Sequence, residues 1–161
     1  MKLTSKGRFA VISLVDIAIN SADGKPVSLS EISNRQNISL SFLEQIFLLL
    51  KKNRIVRSIR GPSGGYVFAR SPNFIMIYDV INAIEEDLKI TRCNGIDYGC
   101  IPNKKKTKCL THNLWNNLSN HILFFLSSIS IQDVKENSYE AIFKMDHTLI
   151  NEQNHRAVIN D

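Results

Sequence analysis

Apolar residues recur at helical spacing through the first half of the chain. Residues 5–20 are apolar on nearly every side, which predicts a helix buried around most of its circumference, in a core or an interface. After a loop that contains Gly and Pro, Ser28 and Glu31 have the Ser-x-x-Glu spacing of a capping box. We therefore expect a short second helix that begins there and ends near Arg35.

A third helical pattern covers residues 39–52. Its apolar stripe, at positions i, i+3, i+4 and i+7, consists of Leu43, Ile46, Phe47 and Leu50. At about 100° per residue, the opposite face carries Ser41, Gln45 and Lys52, with Glu44 on its flank. Glutamine pairs with adenine and glutamate accepts from the cytosine amino group, so this polar face suits contact with base edges. The pattern predicts the recognition helix of a helix-turn-helix.

The next segment, residues 54–70, has two β-rich runs around the sequence GPSGG. Because a tight turn needs the backbone freedom of glycine, this pattern predicts a β-hairpin. The arginines around it are Arg54, Arg57, Arg60 and Arg70. A basic hairpin after a helix-turn-helix is typical of a winged-helix domain, whose wing reaches phosphates or the minor groove. The predicted fold is mainly α with a small β-hairpin wing, and the candidate DNA-contacting residues are Ser41, Glu44, Gln45, Arg57, Arg60 and Gly61.

The charge distribution supports a polyanionic partner for the first half of the chain. Residues 1–70 hold 11 Lys and Arg against 4 Asp and Glu, whereas residues 71–161 hold 9 against 11. Such a concentration of positive charge is expected of a surface that faces double-stranded DNA, although a solvated basic face would have the same composition. The longest apolar runs are far shorter than the roughly 20 residues of a membrane span. Asp16 interrupts the N-terminal apolar stretch, so we expect a cytoplasmic protein without a signal peptide.

All three cysteines lie in one short segment that ends in a histidine. The spacing is Cys93-x6-Cys100-x8-Cys109-x2-His112, and Gly and Pro residues within it allow the chain to fold back. Four soft or borderline ligands can complete a tetrahedral set. A helix that began near Cys109 would put Cys109 and His112 on one face, and its dipole would favour the thiolate.

Three interpretations of this segment remain open from the residues alone. Zinc accepts a Cys3His set, but zinc sites usually show two closely spaced ligand pairs. A 2Fe-2S cluster also needs four protein ligands and tolerates longer, irregular loops. The third interpretation is a thiol enzyme, with Cys109 as nucleophile and His112 as base, although the segment has no C-x-x-C redox pair.

Helical patterns flank the cysteine segment on both sides. A fourth helix is predicted over residues 75–88. A fifth helix of about five turns is predicted after the cysteines, with an apolar face formed by Leu110, Leu114, Trp115, Leu118, Ile122, Phe125, Leu126 and Ile129. So wide an apolar face predicts a dimerisation helix, with packing against its own chain as the alternative. Ser130 and Asp133 are expected to cap a last short helix.

The predicted organisation follows from these elements. It comprises a winged helix-turn-helix DNA-binding domain at 1–72, a connecting helix at 73–92, a ligand segment at 93–112, a dimerisation helix with a short final helix at 110–136, and a tail at 137–161.

The chain resembles the iron-sulfur cluster regulators of the Rrf-type family of winged-helix transcription factors. The resemblance covers roughly residues 1–134 and depends on "LTSKGRFAV", "ISLSFLEQIF", "VRSIRGPSGGY", "CLTHNLW" and the Cys3His set. It implies a homodimeric, nucleoid-associated DNA-binding protein that is not an enzyme. It also implies control of iron-sulfur cluster assembly genes, including repression.

By position, the resemblance maps the ligands of a 2Fe-2S cluster onto Cys93, Cys100, Cys109 and His112, with the cluster supplied by donor machinery. It maps the DNA-reading residues onto Ser41, Glu44, Gln45 and Arg60. The span "IPNKKKTK" between Cys100 and Cys109 is longer than is usual in this group.

Overall fold

The computed structural model describes residues 4–21, 24–85 and 110–138. The elements in chain order are α1 (Ser5–Asn20), α2 (Leu29–Gln36), α3 (Leu40–Lys52), β1 (Val56–Ile59), β2 (Gly65–Phe68), a 3₁₀ turn (Pro72–Phe74), α4 (Ile77–Ala83), α5 (His112–Ser128) and α6 (Ile131–Glu136). The predicted fold class, mainly α with a two-stranded antiparallel wing, is confirmed. The three cysteines and the predicted tail lie outside the described residues, apart from its first two positions.

Local capping signals set the beginnings of the first two helices. Thr4 Oγ1 accepts from the Lys6 amide at 3.2 Å and caps α1. The capping box of α2 is confirmed, because Ser28 Oγ accepts from the Glu31 amide at 3.2 Å and Glu31 Oε2 accepts from the Ser28 amide at 2.8 Å. The helix ends at Gln36, one residue beyond the prediction, where Asn37 turns into the left-handed region at φ 53°.

The core lies between α1 and α3 and is closed by α2, α4 and α6. The predicted apolar stripe of α3 is confirmed, since its four side chains are fully buried. Helix α1 contributes Ala10, Leu14 and Ile17. Ile12 and Ile19, seven residues apart on one side of α1, are 36% and 59% exposed. Within the chain, α1 is therefore buried over only part of its circumference, and burial of this side in an interface stays a prediction.

The wing is anchored to the segment before α2. Strands β1 and β2 pair from Val56 opposite Phe68 to Ile59 opposite Gly65. Val27 adds a bridge to Tyr66, with N–O distances of 3.0 and 2.8 Å. A β-carbon on Gly65 would lie 2.5 Å from the carbonyl carbon and oxygen of Val27, so only glycine fits this approach.

The predicted fourth helix is too long at its start. Ile75 is extended rather than helical, because the segment pairs with the chain after α5: the Ile77 amide donates to the Ile129 oxygen and the Ile131 amide to the Ile75 oxygen, both at 2.9 Å. Helix α4 ends at Ala83, and Glu85 follows at φ 60°, a left-handed conformation that stops a helix. The remaining predicted positions, 86–88, lie outside the described residues.

The same pairing corrects the predicted long helix. Ile129 was expected on the helical stripe, but it is extended at φ −113° and ψ 123° and is buried in the core. At the other end, α5 begins at His112 and not near Cys109, with a turn at residues 110–111. Cys109 itself lies outside the described residues, so its placement beside His112 stays a prediction. The Ser130–Asp133 cap of α6 is confirmed, and α6 packs against α1.

No helix in the described ranges is both long and apolar enough to cross a membrane.

Candidate nucleic-acid interface

The polar face predicted for α3 is exposed. Ser41, Gln45 and Lys52 are exposed on the side of the helix opposite its buried stripe, and Glu44 is exposed on the flank of that side. Ser41 Oγ is 2.9 Å from Ser39 Oγ at the start of the helix. Because the buried stripe sets the rotation of α3 about its axis, the side chains suited to base edges are held on one outward face.

The wing lies beside α3 as part of the same packed unit. The ring of Tyr66 in β2 meets the ring of Phe47 in α3, with centroids 4.8 Å apart. Lys51 Nζ, in the last turn of α3, donates to Ser58 Oγ in β1 at 2.8 Å. These contacts join both strands of the wing to α3, so the wing and the helix are held in a fixed position relative to each other.

Two wing arginines are exposed. Arg57 lies in β1, opposite Val67, and Arg60 follows the strand. Gly61, next along the chain, has φ 121°, a conformation that favours glycine. Neither arginine takes part in the two ion pairs that the described residues form. Their positive charge is available to a polyanion.

Arg70 differs from the other arginines of the hairpin. Its Nη2 lies 2.6 Å from Asp79 Oδ2, in a partly exposed ion pair between the end of the wing and α4. The negative charge of Asp79 therefore partly neutralises the positive charge of Arg70. The sequence pattern, which grouped Arg70 with Arg57 and Arg60, did not show this difference, because Asp79 is nine positions away in another element.

A buried carboxylate joins α1 to the end of α2. The Asp16 side chain is 1% exposed and accepts from Arg35 Nη2 at 2.6 Å and from Gln36 Nε2 at 2.7 Å. Burial raises the pKa of Asp16, but the hydrogen bonds from Arg35, Gln36 and Asn20 and the charge of Arg35 outweigh it, so the pKa lies below its ordinary value. The pair holds α2 against α1 just before the turn into α3.

In the sequence, Asp16 is visible only as an interruption of an apolar run. A charged residue within an otherwise apolar helix was the available signal, because such a group needs a partner when it is buried. Which residue supplies the partner depends on how α1 and α2 pack.

Two side chains hold the end of α4. Asn53, the C-cap of α3, donates through Nδ2 to the Ala83 oxygen at 3.1 Å and to the Leu49 oxygen at 3.0 Å. Lys6 Nζ, in the first turn of α1, donates to the Ile84 oxygen at 2.9 Å. The point from which the chain runs on towards the cysteines is thus bonded directly to α3 and α1.

Of the four predicted ligands, only His112 lies in the described part of the chain. It is the first residue of α5 and is 7% exposed. Within residues 4–21, 24–85 and 110–138, no cluster of His, Cys, Asp or Glu has the make-up of a metal site. Three thiolates and one imidazole nonetheless match the ligand chemistry of a 2Fe-2S cluster and of zinc, so the donor set fits either.

The first half of α5 carries an exposed apolar surface. Leu114 is 61% exposed, Trp115 40% and Leu118 41%. Farther along, Phe125 and Leu126 pack against the core. The second half of α5 therefore covers its own chain through Phe125 and Leu126, although Leu123 and Phe124 on the same turns are 37% and 68% exposed. The apolar side chains near His112 project from the chain.

Comparisons with known proteins agree with this architecture. The sequence matches the Rrf2 family, described as iron-dependent transcriptional regulators, over residues 3–137. It is 48% identical over 137 residues to the HTH-type transcriptional regulators IscR of Xenorhabdus nematophila and of Photorhabdus laumondii subsp. laumondii. Each match covers 85% of this chain and 80% of the relative. These relatives are named transcriptional regulators, which are not enzymes.

Two solved structures have the same fold. T. potens IscR superposes with a TM-score of 0.68 at 30% identity, covering 88% of this chain and 90% of that one. CymR (YrzC), the global cysteine regulator of B. subtilis, gives 0.70 at 25% identity, covering 85% and 98%. The family match spans most of the chain, and the two IscR sequences compared above are 48% identical to it. The chain therefore belongs to the Rrf2 family of transcriptional regulators.

Proposed function

We propose that this regulator senses iron-sulfur cluster status through a 2Fe-2S cluster held by Cys93, Cys100, Cys109 and His112, and that it controls iron-sulfur cluster assembly genes, including by repression. It acts as a cytoplasmic, nucleoid-associated homodimer and receives its cluster from the donor machinery. The observation that carries the DNA-binding half of the proposal is the exposed polar face of α3 beside two exposed wing arginines.

In this proposal α3 enters the major groove. Gln45 pairs with an adenine, Glu44 accepts from a cytosine amino group, and Ser41 contacts a base or phosphate near the start of the helix. Arg57 and Arg60 contact phosphates or the minor groove. Gly61, with no side chain at the tip of the wing, lets the backbone approach the DNA.

Salt dependence tests the role of the wing. The logarithm of the DNA affinity falls with the logarithm of the salt concentration, and each phosphate contact makes this fall steeper by about 0.9. Arg60→Ala and Arg57→Ala should therefore each make the fall shallower by about 1. Arg70→Ala is the matched control, because it removes the same charge from a residue already paired with Asp79. An unchanged slope in Arg57→Ala and Arg60→Ala would remove the wing from the DNA interface.

Base contacts should instead change sequence preference. Gln45→Ala is expected to lose about 1–3 kcal/mol of discrimination at one adenine position and to bind variants of that position with similar affinity. Fluorescence anisotropy on operators enriched from random DNA measures this. A uniform loss across all positions would assign Gln45 to the backbone instead.

The cofactor half of the proposal is supported by the ligand chemistry and the position of the segment. When bound, a 2Fe-2S cluster supplies a redox-active centre whose loading follows cluster supply. The cysteines lie between the end of α4, where Asn53 bonds to the Ala83 oxygen and Lys6 to the Ile84 oxygen, and the start of α5. Cluster binding to this segment would therefore act on α3 through the Asn53–Ala83 bond and on the apolar surface of α5.

Anaerobic purification tests the cofactor. We expect a brown protein with about two irons and two sulfides per chain. Cys100→Ala should lose the colour while keeping its helical circular dichroism, whereas Ser127→Ala, an exposed change outside the ligand set, should keep it. A colourless protein with one zinc per chain and unaltered DNA binding would establish the zinc alternative in place of the cluster.

The exposed apolar side chains in the first half of α5 support the homodimer. A contiguous apolar surface of this kind marks an interaction site, and a two-fold pair of helix-turn-helix units matches two half-sites on one face of DNA. Sedimentation of the purified chain measures the state directly. A monomer at micromolar concentration would contradict this part of the proposal.

A further inference from the structure

An apolar side chain lies in the middle of the exposed face of α3. Leu48 is 69% exposed and follows Gln45 by three residues and Glu44 by four. At about 100° per residue, these spacings place Leu48 between Glu44 and Gln45 around the helix axis. It is therefore on the side opposite the buried stripe and takes no part in the core.

The surroundings of Leu48 indicate what it contacts. A single exposed leucine is ordinary on a protein surface, but this one is surrounded on α3 by polar side chains, with Lys52 one turn farther along, and α3 packs against the wing that carries Arg57 and Arg60. Positive charge on α3 and on the adjoining wing favours a polyanion as the occupant of the whole face. Leucine has no donor or acceptor, so it cannot hydrogen-bond a base edge.

One feature of the major groove accepts an apolar side chain, the C5-methyl group of thymine. We propose that Leu48 is a specificity-determining residue that packs against a thymine methyl in the operator. The proposal rests on the proposed function, since it needs α3 in the major groove. It adds an apolar contact to the polar contacts assigned to Ser41, Glu44 and Gln45.

The spacing along α3 indicates where this thymine lies. Seven residues separate Leu48 from Ser41, a rise of about 10 Å at 1.5 Å per residue. Successive base pairs are about 3.4 Å apart, so the thymine should lie on the order of three base pairs from the position nearest Ser41. Leu40 is a weaker candidate, because it is 40% exposed and lies beyond Glu44 at the edge of the face.

The experiment uses the full-length protein, purified anaerobically, with DNA sites enriched by it from a random library. Each thymine of an enriched site is then replaced by deoxyuridine, which removes only the C5-methyl group. We expect about fourfold weaker binding by the unsubstituted protein at one thymine, the equivalent of about 0.8 kcal/mol for one buried methyl. Leu48→Ala should bind the thymine and deoxyuridine sites equally.

Phe74→Ala is the matched control, because Phe74 is 71% exposed but lies in the 3₁₀ turn outside α3. It should keep the fourfold preference. Either of two results overturns the proposal. In the first, each deoxyuridine that weakens DNA binding by the unsubstituted protein weakens binding by Leu48→Ala by the same factor. In the second, no deoxyuridine weakens binding by either protein. Failure of the proposed function looks different, because the unsubstituted protein would then enrich no sequence at all.

Discussion

Replacement of Asp16 by asparagine tests the link between α1 and α2. The substitution keeps the size of the side chain and removes its charge. One carboxylate oxygen becomes an amino group, which must then face a donor of Arg35, because both oxygens accept hydrogen bonds from Arg35 and a guanidinium has no acceptor. A buried donor opposite another donor is left unsatisfied.

The cost follows from the bonds lost. A hydrogen bond to a charged group contributes about 1.5–3 kcal/mol, and an unsatisfied buried group costs a further 1–3 kcal/mol or so. The Arg35 side chain is 36% exposed and can turn towards water, which reduces the penalty on its side. We expect Asp16→Asn to lower the free energy of unfolding by about 2–3 kcal/mol, and the melting temperature by roughly 8 °C.

Urea denaturation at fixed protein concentration, followed by circular dichroism, measures this change. Asp79→Asn is the matched control, because it makes the same replacement in the partly exposed pair with Arg70. The asparagine keeps an oxygen that can accept from the Met76 amide at the start of α4, so the change should cost less than about 1 kcal/mol.

The pH dependence gives a second measurement. The pKa of Asp16 is lowered in the folded protein, so its stabilisation is complete above the ordinary aspartate pKa of about 3.9 and is lost as the pH falls through the lower folded value. The difference between the unsubstituted protein and Asp16→Asn should be constant from about pH 7 to 5 and shrink below about pH 4. A destabilisation no larger than that of Asp79→Asn, or a difference unchanged at low pH, would refute the reasoning.

Three further substitutions have defined outcomes. Gly65→Ala should lower the free energy of unfolding by about 1–3 kcal/mol in urea, because its β-carbon would meet the Val27 backbone; an unchanged midpoint would contradict that contact. Leu118→Glu should convert the proposed dimer to a monomer in sedimentation, whereas the exposed polar change Asn120→Glu on the same helix should not. Ser130→Ala should cost about 1 kcal/mol in thermal melting, because it removes the cap of α6, and Ser127→Ala should cost much less.

The sequence by itself determined the features that depend on neighbouring residues. The Ser28–Glu31 and Ser130–Asp133 caps, the buried stripe of α3 and the hairpin were predicted and are confirmed. These signals are local, because a cap joins residues three apart and a helical stripe repeats every three or four positions. The motifs were also specific enough to identify the family.

Only the tertiary structure decided which distant groups meet. Ile129 fits a helical period, yet its segment pairs with the one that contains Ile75, so backbone pairing overrides periodicity at both positions. Asp16 pairs with Arg35 of α2, and Arg70 pairs with Asp79 of α4. Neither pair could be predicted from neighbouring residues, because the partners lie 19 and nine positions apart. Periodicity alone does not distinguish a helical residue from an extended one in the core, because both bury their apolar side chains. Their difference depends on which backbone groups lie within hydrogen-bonding distance once the chain is packed.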